Sequence, residues 1–507
     1  MSHAFRLPHL FWLLGLGACT SVLGIDDLHD GPRPGSGGDE NTAATGNDAG
    51  QSNATAGKTN NGGKTGNGGT LGESGAGNPM AGTGNEPSGG TGAEGGEGGA
   101  LNPEDPTVRG HLIDIWGHEL ADVPVQIGDT LTTTDANGAF VIENVPAIYD
   151  VSFDIEFDLN IQHRSFGWVY QGLTRRDPTL QAKWGLPLRS GQAEFAAPGV
   201  TFAADEKISL TIGGVDGNTD TTLSEGGYTP YGYWEGNEPT SSGVAHALYW
   251  HYDHDTELPT AYYGYTSSSI LLNENETAKL ALTLTKGSIT AGNLLGTVTP
   301  TGSDRSDQVW VHFTNGALMR LINATGANTF SYLVPTLPKS SITVAASEGD
   351  PYWGECGIVV ADGLAASSKP ALTIPKPVKL TAPADDSDGV TAATVFSFST
   401  SANAGPYVVQ FTNVDASNDA PFQTIFVVTA KSQLSIPPVI GGGMKLKANN
   451  LIEWRVATHG KHANVDEMAG PGGGLQPFAD YDIAIDGIVR DGGEFTMSSW
   501  RHFMIAP

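Results

Sequence analysis

The pattern of hydrophobic and polar residues after position 105 is that of a β protein. Runs of β-branched, aliphatic and aromatic residues recur at short intervals, as at 123–127, 278–284 and 408–411. Several of them alternate with polar residues in the period of two that a strand imposes. Asp-Gly, Asn-Gly and Gly-Gly pairs between the runs favour tight turns. The pattern predicts an all-β fold class of tandem β-sandwich domains.

Residues 26–105 lack this pattern. Gly, Asn, Thr, Ser and Ala dominate them, and no Phe, Trp or Tyr lies between Trp12 and Trp116. Such a segment cannot bury enough apolar surface to offset the entropy that ordering would cost. We therefore expect a disordered tether, and a Gly-rich coil of about 75 residues would have an r.m.s. reach of about 50 Å.

A short apolar run opens the chain. Residues 10–14 read Leu-Phe-Trp-Leu-Leu, and Leu16-Gly-Ala-Cys19 closes the run. It is too short to cross a bilayer and has the layout of a secretory signal. The sequence LGAC resembles the lipobox of bacterial lipoprotein signal peptides, with an ordinary secretory signal and a chance cysteine as the alternative. The resemblance implies that residues 1–18 are removed and that Cys19 carries the lipid that anchors the protein to a membrane.

The residue after Cys19 indicates which membrane of the cell envelope would hold the lipid anchor. Thr20 stands where inner-membrane retention in enteric bacteria usually uses Asp. The lipoprotein resemblance therefore implies an outer-membrane protein of the cell envelope, either periplasmic or exposed at the surface. More than one acyl chain on one residue makes such an anchor stable, since each buried methylene contributes about 0.8 kcal/mol.

Composition narrows the classes of function. The chain has 55 acidic residues against 26 Lys and Arg, a net charge of −29, which repels phosphate backbones and argues against a nucleic-acid partner. With Cys19 lipidated, Cys356 is left without a disulfide partner and is expected to be a buried structural thiol. The sequence lacks the motifs of serine hydrolases, zinc proteases, P-loop and dinucleotide-binding enzymes. We therefore expect a non-enzymatic protein without a cofactor, and a glycoside hydrolase with carboxylates from distant strands is the alternative.

Residues 106–181 carry a second resemblance. They contain Val-x-Gly, Asp-x-x-Gly, Val-x-Val, Thr-Asp-x-x-Gly-x-Phe, Val-Pro and Tyr-x-Val in this order, at Val108–Gly110, Asp114–Gly117, Val123–Val125, Thr134–Phe140, Val145–Pro146 and Tyr149–Val151. The order is similar to the carboxypeptidase regulatory-like family, which implies a transthyretin-like sandwich without catalytic residues. Asp122 stands where that family usually has Gly. Asp135 is expected to accept hydrogen bonds from turn amides, and Gly138 to adopt positive φ.

Two further sandwiches are expected after residue 286. Residues 287–376 repeat the turn, strand and Val-Pro rhythm of 106–181, which indicates a related sandwich. Residues 377–507 are similar to a fibronectin type III or immunoglobulin-like domain with a long insertion around 464–476, and Trp454 and Trp500 are expected to face its core. The predicted boundaries are thus 1–18, 19–105, 106–181, 182–286, 287–376 and 377–507.

The segment 182–286 is the candidate binding region. Eight of the 14 tyrosines lie between Tyr228 and Tyr265, and aromatic rings suit stacking on sugars or gripping a peptide. We expect a surface for a polysaccharide or protein ligand, formed by Tyr231, Trp234, Tyr249 and Tyr263. The alternative is that these rings fill the core of an ordinary sandwich. If 245–255 is a strand, its even-numbered residues face one way and most odd-numbered ones the other.

The same segment contains the cluster with metal-ligand character. His251, Asp253 and His254 supply imidazoles and a carboxylate close together, and such groups can share a divalent ion. A solvated polar strand end is the alternative, because no further ligands accompany them. Taken together, the sequence predicts a lipid-anchored protein that displays β-sandwiches for adhesion or binding. A purely structural spacer or envelope-assembly subunit is the alternative.

Overall fold

The described part of the chain is nearly all β, which confirms the predicted fold class. The computed structural model describes residues 106–115, 117–159, 162–182, 188–197, 200–215, 217–218, 221–223, 231–235, 238–299, 305–350, 354–400, 405–413, 422–439, 450–473 and 492–506. The predicted signal peptide, Cys19 and the predicted tether lie outside these ranges. In the described ranges no helix has the length and apolar character needed to cross a membrane.

The strands are described here as four consecutive modules. Module 1 contains β1 Val108–Asp114, β2 Pro124–Ile127, β3 Thr130–Thr133, β4 Ala139–Ile142, β5 Tyr149–Leu159, β6 Gln162–Leu173 and β7 Thr179–Ala182. Module 2 contains β8 Leu188–Ala196, β9 Glu206–Gly213, β10 Gly217–Asn218, β11 Thr221–Leu223, β12 Tyr231–Glu235, β13 Thr240–Tyr252, β14 Pro259–Asn273 and β15 Thr277–Ala281.

Modules 3 and 4 complete the fold. Module 3 contains β16 Ala291–Thr299, β17 Arg305–Phe313, β18 Leu318–Thr325, β19 Thr329–Pro335, β20 Ser340–Gly349, β21 Cys356–Leu364 and β22 Ala371–Thr373. Module 4 contains β23 Leu380–Ala382, β24 Ser387–Val390, β25 Phe396–Phe398, β26 Tyr407–Asn413, β27 Phe422–Thr429, β28 Gln433–Leu434, β29 Leu451–His459, the short helix α1 Val465–Met468, β30 Gly493–Met497 and β31 Arg501–Ile505.

One sheet runs through modules 3, 4 and 1. Among the described strands it has 14 members in the order β18-β17-β20-β21-β30-β29-β26-β27-β6-β5-β2-β3, with β31 and β24 attached at β29. Module 3 joins module 4 where β21 pairs antiparallel with β30, with Cys356 opposite Met497. Module 4 joins module 1 where β27 pairs parallel with β6, with Phe422 opposite Arg164. Strand pairing therefore joins sandwiches that the sequence predicts only as successive domains.

Both faces of this sheet are buried at the junction of β6 and β27. Phe426 of β27 belongs to the core of module 1, where its ring stacks on that of Trp168 with centroids 4.2 Å apart. The neighbouring Val427 points the opposite way into the core of module 4, as does Val169 of β6. A strand with apolar side chains on both faces needs cover on both sides, and the small sheets β4-β1-β7 and β23-β25-β28 belong to the sandwiches on either side.

Modules 1 and 3 share the layout of their small sheets. In module 1, β1 runs antiparallel to β4 and parallel to β7, and in module 3 β16 stands in the same relation to β19 and β22. In each, a glycine lies directly opposite a phenylalanine, Gly110 with Phe140 and Gly296 with Phe330. A Cβ on either glycine would overlap the phenyl ring. The two small sheets therefore share this close packing of a glycine against a phenyl ring.

The first hairpins of module 1 follow the local chemistry of the sequence. The Asp135 carboxylate accepts the backbone N–H groups of Asn137 and Ala139, each at 2.9 Å, and these bonds lower the pKa of Asp135. Gly138 has φ +68°, so both expectations for this turn are confirmed. Asp122 has φ +60°, in the left-handed region that favours glycine, which explains why a glycine would suit this position.

Three other side chains in modules 3 and 4 test expectations on burial. Cys356 is fully buried, and burial raises the pKa of its thiol to about 12, as expected for a structural cysteine. Trp454 is fully buried in the core of module 4. The expectation for Trp500 was wrong: it is half-exposed in the turn between β30 and β31, and the Arg455 guanidinium lies 4.2 Å from its ring centre.

Candidate functional site

The tyrosine-rich segment forms the long hairpin of β13 and β14. β13 lies between β9 and β14 and pairs antiparallel with both. Its side chains alternate as predicted: Leu248 and Trp250 enter a core shared with module 3, whereas Ala247 and Tyr249 enter the core of module 2. The hairpin thus lies between two hydrophobic cores. A strand in this position requires apolar residues on both of its faces.

Two of the four predicted ligand-binding rings are core residues. Trp234 is 4% exposed and Tyr249 is 1% exposed, and the Trp234 indole N–H donates to the Glu238 carbonyl at 2.9 Å. The alternative interpretation, that aromatic residues fill a core, describes these two. Tyr263 is half-buried and meets Tyr249 edge-on, with ring centroids 5.4 Å apart. Tyr231 lies on β12, and its side chain is outside the described part.

A buried carboxylate organises one face of the hairpin. Glu206, which is 3% exposed, accepts the Ala203 backbone N–H at 2.9 Å, and both the Tyr249 hydroxyl and the Lys286 ammonium donate to it. Burial opposes ionisation, but these three donors together hold the pKa of Glu206 at about 2. The Lys286 ammonium also lies 4.6 Å from the Tyr263 ring centre. The aromatic faces are thus partly covered by the chain itself.

The opposite face has a corresponding lysine. The Lys207 ammonium lies 3.8 Å from the ring centre of Tyr252 and 5.5 Å from that of Trp250, distances that favour cation–π attraction. The hairpin therefore presents two tyrosine–lysine pairs, Tyr252 with Lys207 and Tyr263 with Lys286. In both pairs the tyrosine is half-buried and retains an accessible part.

Sequence reasoning missed the charged groups beside Tyr249 and Tyr263. Glu206 and Lys286 are 80 positions apart, and neither belongs to a motif. Only the pairing of β9 with β13 brings Glu206 next to the tyrosines. No signal in the sequence alone indicates this contact.

The three predicted metal ligands do not come together. The His251 Nδ1 atom is 2.6 Å from the Thr260 hydroxyl, and the Asp253 carboxylate accepts the Thr256 backbone N–H at 2.9 Å. His254 is exposed, with its Nδ1 atom 3.6 Å from an Asp205 oxygen. Asp253 is engaged in stabilising its own turn and His251 in a hydrogen bond across the hairpin. The alternative, a solvated polar strand end, describes these residues in the structure.

Another cluster of titratable groups lies in module 4. Among the described residues, Asp385, Asp386 and His502 have ligand-type atoms within 4.8 Å of one another. Asp385 accepts the His502 backbone N–H at 2.8 Å, and the His502 Nε2 atom lies 3.0 Å from a Glu453 oxygen. The hydrogen bond to Glu453 raises the pKa of His502, and the charges of Glu453 and Asp385 add to this effect. The hydrogen bond between Asp385 and the His502 backbone joins β31 to the loop before β24.

No protein-family model matches the chain, and no curated protein matches it. The Bacillus anthracis TIE protein is similar at 11% identity over 53% of this chain and 49% of that chain, with a TM-score of 0.15. The match therefore spans about half the length of that protein.

Two further similar structures are named as an adhesin and a pilin. A putative adhesin from Bacteroides ovatus ATCC 8483 is 12% identical over 38% of this chain and 90% of its own, with a TM-score of 0.13. The shaft pilin SpaA from Lactobacillus rhamnosus GG is 10% identical over 37% of this chain and 97% of its own, with a TM-score of 0.12. These are likenesses between distant β-rich proteins.

Proposed function

We propose that this chain is a lipid-anchored, non-enzymatic cell-envelope protein that displays its β modules for adhesion or binding. The observation that supports it best is the sheet that continues through three modules. Modules joined by backbone hydrogen bonds form a stiffer scaffold than domains on flexible linkers, whose relative motion is the default expectation. A stiff scaffold suits presentation of a surface.

The anchor at Cys19 is the first part of the proposal to test. Replacement of Cys19 by Ser should abolish labelling by radioactive palmitate and move the protein from the membrane fraction to the soluble fraction. Cys356→Ala is the matched control and should keep the label, because this thiol is buried. Membrane attachment that survives Cys19→Ser would contradict the proposal. Separation of inner and outer membranes then tests the outer-membrane location.

The ligand surface is the second part. Tyr252 and Tyr263 keep accessible surface at the two tyrosine–lysine pairs, so they replace Trp234 and Tyr249 as the residues to mutate. The test is a glycan array and a cell-wall pull-down with the whole protein, repeated with Tyr252→Ala and Tyr263→Ala. Tyr263→Phe, which keeps the ring, should retain binding. Absence of binding by the parent, or equal binding by every variant, would contradict a ligand surface at the hairpin.

A purely structural role is the second candidate. It is favoured by the burial of Trp234 and Tyr249, which leaves less aromatic surface for a ligand than the sequence suggests. In that case the protein would act as a spacer or as a subunit of an envelope assembly. Cross-linking in intact cells followed by isolation of a defined complex, together with no binding on the glycan array, would favour it.

A further inference from the structure

Module 2 is attached to module 3 by a tight polar contact. The Gly214 backbone N–H donates to the Asn315 carbonyl at 2.9 Å, and the Thr211 hydroxyl donates to the Leu318 carbonyl at 2.7 Å. A Cβ on Gly213 would overlap the Asn315 side chain. Asn315 lies in the turn between β17 and β18, so this turn is held against β9 of module 2.

His246 of β13 lies at the centre of this contact. It is 5% exposed, and its ring stacks on that of Phe313 with centroids 3.9 Å apart. Its Nδ1 atom is 2.9 Å from the Tyr265 hydroxyl, and its Nε2 atom is 3.0 Å from the Asn315 amide nitrogen. Both ring nitrogens are therefore engaged, one within module 2 and one across the junction.

The amide of Asn315 determines which protonation state of His246 fits. The Asn315 Oδ1 atom accepts the Ala317 backbone N–H at 3.4 Å, which leaves the amide nitrogen facing the imidazole. An amide nitrogen only donates, so Nε2 must accept, and the single ring proton lies on Nδ1. Protonation would place an N–H on Nε2, and the contact would then persist only if the Asn315 amide turned over and gave up the bond from the Ala317 N–H.

Among the described residues, no charged side chain acts on His246 to compensate a protonated imidazole. The titratable neighbour is Tyr265 of β14, and the other groups facing His246 are Thr211 of β9, Ser267 of β14, Phe313 of β17 and Asn315. All are neutral at physiological pH. A positive charge placed here would be buried without a partner, which is costly.

We propose that His246 is an acid-sensitive latch between modules 2 and 3: the neutral imidazole holds the turn that carries Asn315, and its protonation releases that turn. Burial lowers the pKa of His246 to about 4, against an ordinary value of 6.5, and outweighs the hydrogen bond with Asn315, which acts in the opposite direction. The opened junction thus takes up a proton more readily than the closed one. As the pH falls below about 6.5, the equilibrium constant for closure of the junction decreases by up to about tenfold per pH unit.

Hydrogen exchange on the whole protein tests the latch. Peptides covering 208–214 and 313–318 report on the junction, and a peptide covering 425–428 in β27 serves as internal reference. After correction for intrinsic exchange rates, we expect the opening of the junction to increase on the order of tenfold between pH 7 and pH 5. The reference should not change. Equal opening of the junction at both pH values would overturn the proposal.

Three variants separate the latch from a general effect of acid. His246→Gln cannot titrate and should make the opening of the junction independent of pH. Asn315→Asp places a carboxylate opposite Nε2 that accepts a hydrogen bond from the imidazolium, and should reverse the acid response. His251→Gln, which removes a half-exposed histidine, should retain the response of the parent. An unchanged acid response in His246→Gln would overturn the proposal even if Asn315→Asp failed to fold.

Discussion

The carboxylate of Asp466 accepts the backbone N–H of Thr174 at 2.8 Å across 292 positions of sequence. The same side chain accepts the Arg175 backbone N–H at 3.1 Å, and the Arg175 guanidinium donates to the Asp466 carbonyl at 2.8 Å. Val465 and Met468 of α1 lie in the core of module 1. The helix α1, which lies in the insertion predicted around 464–476, thus packs against module 1, far away in the sequence.

We expect Asp466→Asn to lower the free energy of unfolding by about 1–2 kcal/mol, because charge-assisted hydrogen bonds to Thr174 and Arg175 are weakened. Burial opposes ionisation of Asp466, but the bonds from Thr174 and Arg175 lower its pKa. Urea unfolding at pH 7 measures the effect. Asp388→Asn, at an exposed residue of β24, is the control. Equal stability of both variants would mean that α1 is not held through Asp466.

Replacement of the Glu206 carboxylate, which is buried beside the hairpin of β13 and β14, should lower the free energy of unfolding. Glu206→Gln removes the ionic acceptor shared by Tyr249 and Lys286 and should destabilise the protein by about 1–3 kcal/mol. Glu194→Gln is the matched control, because its pair with Lys279 is exposed, and should change stability by less than about 0.5 kcal/mol. Chemical denaturation of both variants checks the difference. Similar small effects would show that the Glu206 network contributes little.

The glycines opposite phenylalanine should not tolerate a methyl group. Gly110→Ala and Gly296→Ala each force Phe140 or Phe330 to move, and we expect a loss of about 1–3 kcal/mol per variant. Gly287→Ala is the control, since the nearest atom to its Cβ would be 3.8 Å away. Thermal unfolding of the three variants tests this. If all three melt alike, the rings must be able to shift without strain.

His502 should stabilise the protein mainly at low pH. Its pKa is raised in the folded protein, so its contribution is complete below the unfolded value near 6.5 and is lost as the pH rises through the folded value. His502→Gln should therefore lower the melting temperature at pH 5.5 and have little effect at pH 9. Melting curves at both pH values provide the measurement. A difference that does not depend on pH would exclude ionic stabilisation by Glu453.

The sequence predicts the all-β class and the alternation along β13 because both depend on local periodicity. It does not predict which faces are buried, since Leu248 and Trp250 pack against a module that follows later in the chain. The run Ile425-Phe-Val-Val428 has no polar alternation, a sign of a strand buried on both faces. That sign indicates a central strand but does not identify β6 as its neighbour.

The junction between β6 and β27 also bears on how the protein is made. Arg164 pairs with Phe422, so module 1 cannot complete its part of the sheet until most of the chain has emerged. Contacts between residues so distant in sequence slow folding, because the entropy of closing the loop is lost before the contacts form. Until then the edge of β6 is open to pairing with other chains. Correct folding of this chain therefore depends on protection of that edge until β27 has been synthesised.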